Sequence, residues 1–206
     1  MNMTNYTHEI KYAVEAALAT IWADVEELEI LRQQLDRLTA ETERGYRRAQ
    51  AFQYDEDPDD VMMGVGVHWD TYFGPDKERH EVATTVDDLN QKIQVREFSR
   101  SAMSASVLQY AKQGISIVHG GLQPCPNGRG VGSQPLKTII WQGRNQSLHW
   151  EEGNPKQPVI DCFDQLDIDF GDEFTPYNTS NLAFNVVRIL NWKTYESFES
   201  DMQSLA

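Results

Sequence analysis

Residues 135–150 read PLKTIIWQGRNQSLHW, and the reading of this stretch organises the rest of the chain. Pro135 suits the first position of a helix, where its missing N–H has no partner to lose. The apolar run Leu136, Ile139, Ile140 and Trp141 then predicts a helix reaching His149 or Trp150. Gly153-Asn154-Pro155 follows as its stop. The last turns carry Arg144, Asn145 and His149. An imidazole moves protons near neutral pH. A guanidinium is always cationic, and its fork matches phosphate oxygens. Asn145 and His149 are four apart and share a helix face. Arg144 and His149 are five apart, so on an ideal helix they point roughly 140° away from each other. They meet at one atom across two copies of the chain, or where the helix unwinds near Gly143 or Trp150.

Outward from this helix the pattern stays helical. Residues 6–50 read as one long helix or a bent pair, with Thr4 or Thr7 as cap. Val14, Leu18, Ile21, Val25, Leu28 and Leu35 form a heptad-like seam along it. That seam fits either a core helix or one that joins two subunits. Tyr54–Asp60 (YDEDPDD) is an acidic loop broken by Pro58. Residues 59–73 fit either a short helix or a strand, since Val65-Gly66-Val67-His68-Trp69 alternates. Gly74-Pro75 is a turn. A second long helix spans 85–119, opened by Val86-Asp87-Asp88, with Gly114 as a possible bend. The stretch 120–134, GGLQPCPNGRGVGSQ, is the longest loop. A short helix follows at 158–170, and a last helix spans 180–203. The fold class is therefore all-α: a helical bundle with a long N-terminal helix or bent pair and a long central helix. It reads as a single domain, 1–206, with a helical arm at 1–55 and a core at 85–206.

The chain has 206 residues and a formal net charge of −14, which at face value argues against a nucleic-acid partner. The distribution of charge along the chain points the other way. Residues 92–149 hold one acid, Glu97, against Lys92, Arg96, Arg100, Lys112, Arg129, Lys137 and Arg144. The one basic block ends at the Arg/His pair, with Arg129, Lys137 and Lys112 as candidate RNA contacts. Two cysteines, Cys125 and Cys162, make no framework. No apolar run is long enough to cross a membrane, and the polar start lacks a leader's apolar core, so the reading is cytoplasmic.

Arg144-x4-His149, with Asn145 after the arginine and helices around it, resembles the HEPN superfamily. Its signature is Arg-x4–6-His, often with a polar residue after the Arg. The resemblance covers about residue 130 to the C-terminus. It implies a homodimeric, metal-independent endoribonuclease of toxin–antitoxin, CRISPR-linked or antiphage type. Its partners would be RNA and an antitoxin or sensor protein, and it would need no cofactor. In that chemistry the ribose 2′-hydroxyl attacks the adjacent phosphorus. His149 would carry the proton, Arg144 would hold the phosphate, and Asn145 would orient His149 or the ribose. A subset resembles Arg-x4-His-x-Tyr; Glu151 stands at the Tyr position here, which argues against a nucleotidyltransferase antitoxin. Glu151 and Glu152 are unwelcome neighbours for a phosphate. The alternative is a catalytically inactive HEPN-like binding or scaffold module of a defence or regulatory system.

Other constellations are weaker. His68-Trp69-Asp70 and His80-Glu81 match no metal-ligand spacing such as His-Glu-x-x-His, and no metal site is assigned. Gly128-Arg129-Gly130-Val131-Gly132 lacks the pattern of a nucleotide loop. Cys125 lies between two prolines and reads as a loop thiol. Trp141 and Trp150 suit packing better than base stacking.

Overall fold

A computed structural model describes residues 1–52 and 57–206. The fold is all-α, about 80% helical with one minimal hairpin. The elements are α1 (Met3–Phe52), α2 (Pro58–Thr71), α3 (Lys77–His119), β1 (Gly130–Val131), β2 (Gln134–Pro135), α4 (Leu136–His149), α5 (Gln157–Phe170), α6 (Ala183–Ile189) and α7 (Tyr195–Gln203). Among the described residues, no helix is long and apolar enough to cross a membrane. The chain divides into two compact units, Met1–Ala23 with Arg96–Ala206, and Asp24–Val95. The boundaries fall inside α1 and α3. A helix interior carries no linker composition, so sequence gives no sign of such a boundary.

In the first unit, α4 is buried on one side by Leu136, Ile139 and Ile140. Phe163 of α5, Phe174, Trp192 and Phe198 of α7 complete the core, each 0% exposed. Glycine lets helices approach closely here. A Cβ on Gly143 would lie 3.1 Å from Val186 Cγ1 of α6, and one on Gly114 would lie 2.8 Å from Tyr6 and Met202. Gly114 therefore admits close neighbours; α3 continues through it unbroken. Asn2, not Thr4 or Thr7, starts α1, its side chain accepting the N–H of Asn5 at 2.9 Å.

The last helix expected at 180–203 is two helices. Asn191 adopts φ +56°, a left-handed conformation that asparagine tolerates better than most residues. Thr194 and Ser197 then form a reciprocal capping box that starts α7. The break turns Trp192 inward. Its Nε1 donates to Asp201 at 2.8 Å, and its carbonyl accepts from Trp22 Nε1 at 2.8 Å.

In the second unit, Leu28, Leu38, Val82, Val86 and Leu89 make a core joining α1 to α3, with Leu31, Leu35 and Ile93 against it. Residues 59–73, which fit either a helix or a strand, are helical. Asp57 caps α2 by accepting the N–H of Asp59 at 2.9 Å. Tyr54, Asp55 and Glu56 of the expected acidic loop lie outside the described residues. Gly74-Pro75 is a kink within a helical run and not a full turn, with Gly74 at φ −96°, ψ −107°. The second long helix accordingly begins at Lys77. Val86, expected near its start, is a core residue two turns in. Thr84 and Thr85 extend the helix by returning their hydroxyls to the carbonyls of His80 and Glu81.

Asp76 ties this unit together at the kink. It accepts from the Tyr46 hydroxyl at 2.7 Å and from Arg79 Nη2 at 2.7 Å. The Tyr46 hydrogen bond first, then that of Arg79, holds the Asp76 carboxyl below its usual range. The folded form thus prefers the carboxylate. The resulting stability is complete above the ordinary aspartate pKa and disappears as pH falls through the lowered one. Asp76→Asn is expected to lower the thermal midpoint at neutral pH and to shrink the gap from wild type on acidification, read by circular dichroism.

Asp201 does the same for the first unit. Its carboxylate, 9% exposed, takes the Arg129 guanidinium through Nε at 2.7 Å and Nη2 at 2.9 Å, as well as the Trp192 N–H. Asp201→Ala leaves a buried indole N–H and a half-exposed guanidinium without their acceptor. The expected loss is about 2–3 kcal/mol in urea unfolding.

Candidate functional site

The motif helix α4 ends where the sequence places its chemistry. His149 leaves the helix at φ −127°, ψ 6°, and a single 3-10 turn, Trp150–Glu152, follows. Gly153 at φ +62° closes it, a conformation glycine adopts without a Cβ penalty. The helix therefore unwinds just past His149, at Trp150. Arg144, Asn145 and His149 are among the residues that line one cleft of about 450 Å³. Gly143 stays helical and serves the close approach of α6 instead.

Arg144, Asn145 and His149 each have a definite partner. Arg144 Nε donates to Gln109 Oε1 on α3, and its Nη1 to Asn145 Oδ1 at 3.3 Å. Asn145 Nδ2 donates to Gln142 Oε1 at 3.2 Å. The Asn145 amide therefore orients Arg144, whereas its expected partner was His149 or a ribose. His149 Nδ1 lies 2.7 Å from Glu152 Oε1 on the next turn. Both side chains are exposed. Gln146, 2% exposed, anchors the helix at the floor of the cleft. It donates to the carbonyls of Tyr177 at 2.7 Å and Ser180 at 2.6 Å, and accepts the N–H of Leu182 at 3.1 Å.

The cleft walls are largely apolar: Trp141, Trp150, Pro155, Pro158, Val159 and Tyr177. Burial and a hydrogen bond to Asp164 push the Tyr177 phenol up. Lys156, at the N-terminus of α5, supplies a second fixed cation to the lining. Arg144 and Lys156 are the two fixed cations of the lining and Glu152 its one carboxylate, so the lining carries a formal excess of positive charge within a chain of net charge −14. An apolar cavity of this size with a few convergent polar groups is the usual form of a small-ligand or nucleotide site.

The three other expected RNA contacts are placed elsewhere. Arg129 is held by Asp201 and by the Leu190 carbonyl at 2.8 Å, a structural tie. Lys137 Nζ donates to the Cys125 carbonyl at 2.7 Å and fastens the glycine-rich loop. Lys112 borders the site indirectly, its Nζ 4.5 Å from the centre of the Trp141 ring, which itself lines the cleft. Gln109, Gln142, Lys156 and Tyr177 were not legible as site residues. The one signal for the glutamines was three amides, Gln142, Asn145 and Gln146, on a helix otherwise destined for the core.

Other constellations remain separate from this site. His68 packs its ring against Tyr46 and Trp69, and His119 Nε2 meets the Leu205 carbonyl at 2.6 Å. Among the described residues, no three His, Cys, Asp or Glu side chains gather as metal ligands do. No protein-family model, curated protein or solved structure matches the chain.

Both thiols are buried, and neither lines the cleft. Burial pushes the Cys162 thiol up to about 12 and raises that of Cys125. A thiol reagent at pH 8 should leave both unmodified in the native protein and titrate two thiols per chain once denaturant is added.

Proposed function

We propose that the chain is a metal-independent endoribonuclease whose reaction takes place in the cleft at the end of α4. The observation that supports this reading most is that a single chain gathers Arg144, Asn145 and His149 around one positive, apolar-walled cleft. Arg144 would bind the non-bridging oxygens of a phosphodiester and stabilise the charge that builds on them. Gln109 and Asn145 hold its fork in place beforehand. His149, oriented by Glu152, would take the 2′-hydroxyl proton as that oxygen attacks phosphorus. The P–O5′ bond breaks, the leaving 5′-oxygen takes a proton from water and His149 returns its proton to solvent, giving a 2′,3′-cyclic phosphate and a 5′-hydroxyl. Trp141, Trp150 and Tyr177 offer faces against which a base can lie.

The Arg-x4-His pattern ties this reading to HEPN-type toxins and antiphage effectors. In such a role the chain works as a homodimer and answers to an antitoxin or sensor protein. A second reading, a HEPN-like module that binds without cutting, is favoured by one feature. The Glu152 carboxylate lines the same cleft and opposes a phosphate at that edge.

Incubation of the purified chain with RNA in EDTA separates the two. Wild type should degrade RNA to cyclic-phosphate ends with no added metal. His149→Ala and Arg144→Ala should each lower the rate by about 100-fold or more. Absence of degradation by wild type, or equal rates for all three proteins, leaves the binding module standing. Rates that collapse on chelation point to a metal enzyme. Sizing by light scattering reads the homodimer directly.

A further inference from the structure

The outer face of α2 and the kink after it carry an apolar stripe. Met62, Val65, Trp69, Tyr72 and Phe73 are each between 45% and 67% exposed. Met62, Val65, Trp69 and Tyr72 recur at steps of three and four residues, with Phe73 four after Trp69, the spacing by which one helix lies along another. Their rings brace each other. Trp69 stacks on Phe73 with centroids 5.6 Å apart, and Tyr72 meets Trp69 edge-on at 5.8 Å. A groove of about 600 Å³ runs beside the stripe between α1 and α2, lined in part by Tyr46, Ala49, His68 and Trp69. Gly64 lies at its base, pressed close to Ala49 and Phe52. Gly66 has open space where a Cβ would be, so the ridge is low enough for another backbone to approach. Contiguous exposed apolar surface of this kind marks an interaction site in a soluble chain.

The charge around the stripe selects its occupant. From Asp57 to Asp76 the described chain has five acids and no Lys or Arg. Asp59 and Asp60 sit at one end of the stripe on the first turn of α2. Asp70 shares a second cleft, on another side of α2, with Arg44 and Arg48. A second copy would set like charges against each other, and an anionic lipid surface or a nucleic acid would be repelled. We propose that this face docks an amphipathic helix of another protein, with apolar residues at heptad spacing and Lys or Arg along its flanks. The apolar residues give the contact its strength, and the carboxylates give it its sign preference. This inference stands apart from the ribonuclease reading, because none of its residues belongs to the α4 cleft.

The test uses fluorescein-labelled synthetic helices of about three heptads, with Leu at the seam and Lys or Arg at the flanking positions. Two controls have Glu at the flanks or the same residues in scrambled order. The whole purified chain is titrated in and anisotropy is read. The basic amphipathic helix should bind saturably, and the two controls should not. Trp69→Ser with Phe73→Ser should weaken it about tenfold or more. These positions are exposed, so circular dichroism should be unchanged. Asp59→Asn with Asp60→Asn, which leaves the apolar stripe intact, should weaken binding and flatten its salt dependence. No binding by the basic helix, equal binding by the acidic or scrambled peptide, or indifference to both double variants overturns the proposal. So does a wild-type dimer that the Trp69/Phe73 variant dissociates, which would put a second copy on this face. Sedimentation with phosphatidylserine vesicles through the same residues overturns it in favour of a membrane.

Discussion

The carboxylate of Asp201 is buried on α7 and accepts from three donors, two on Arg129 and one on Trp192. Much of the first unit depends on this arrangement. Arg129 comes from the glycine-rich loop, so the ion pair fastens the segment that leads into the hairpin and then into α4. Trp192 comes from the break between α6 and α7, and its carbonyl reaches Trp22 on α1. A buried charge without partners is costly, so this carboxylate fixes where the loop, the break and the N-terminal helix meet. The same network accounts for the fate of Arg129. A guanidinium held by a bidentate carboxylate and a backbone carbonyl has little left for a phosphate.

The placement of α4 follows from these constraints. Gly143 lets α6 approach within van der Waals contact, and Gln146 anchors the 177–182 segment by three hydrogen bonds. Gln146 and Tyr177 also line the cleft, beside Arg144 and Asn145. Prior ordering of a cationic fork is what electrostatic stabilisation of a transition state requires, since the reorganisation is complete before a ligand arrives. The chain of amides from Gln142 through Asn145 to Arg144, with Gln109 from α3, provides that ordering.

The helical class was legible because period and length agreed over long segments. α4 and α5 also fell within a residue of their expected limits. Features that depend on tertiary context were not legible. The break at Asn191 carries neither Gly nor Pro; it forms because a buried Trp192 and a Thr194/Ser197 cap outweigh helix continuity. Thr84 and Thr85 looked like the edge of a helix, yet their hydroxyls are satisfied within it. At the candidate site, Arg144, Asn145 and His149 could be singled out by residue type and spacing alone. Lys156 and Tyr177 could not, because they reach the cleft from other elements. The roughly 140° separation of Arg144 and His149 presupposed an ideal helix, and His149 departs from helical angles at φ −127°, ψ 6°.

The acidic character of the chain is unevenly shared, and that unevenness carries chemical meaning. A net charge of −14 should repel every polyanion at long range. Screening confines that repulsion to about 8–10 Å at physiological salt, so the local field in a concave site can differ in sign from the whole. The α4 cleft does so, with Arg144 and Lys156 against Glu152. The α2 face does the opposite, holding carboxylates and no Lys or Arg of its own beside exposed aromatic rings. One surface suits an anion and the other suits a cation. A single ligand chemistry cannot satisfy both.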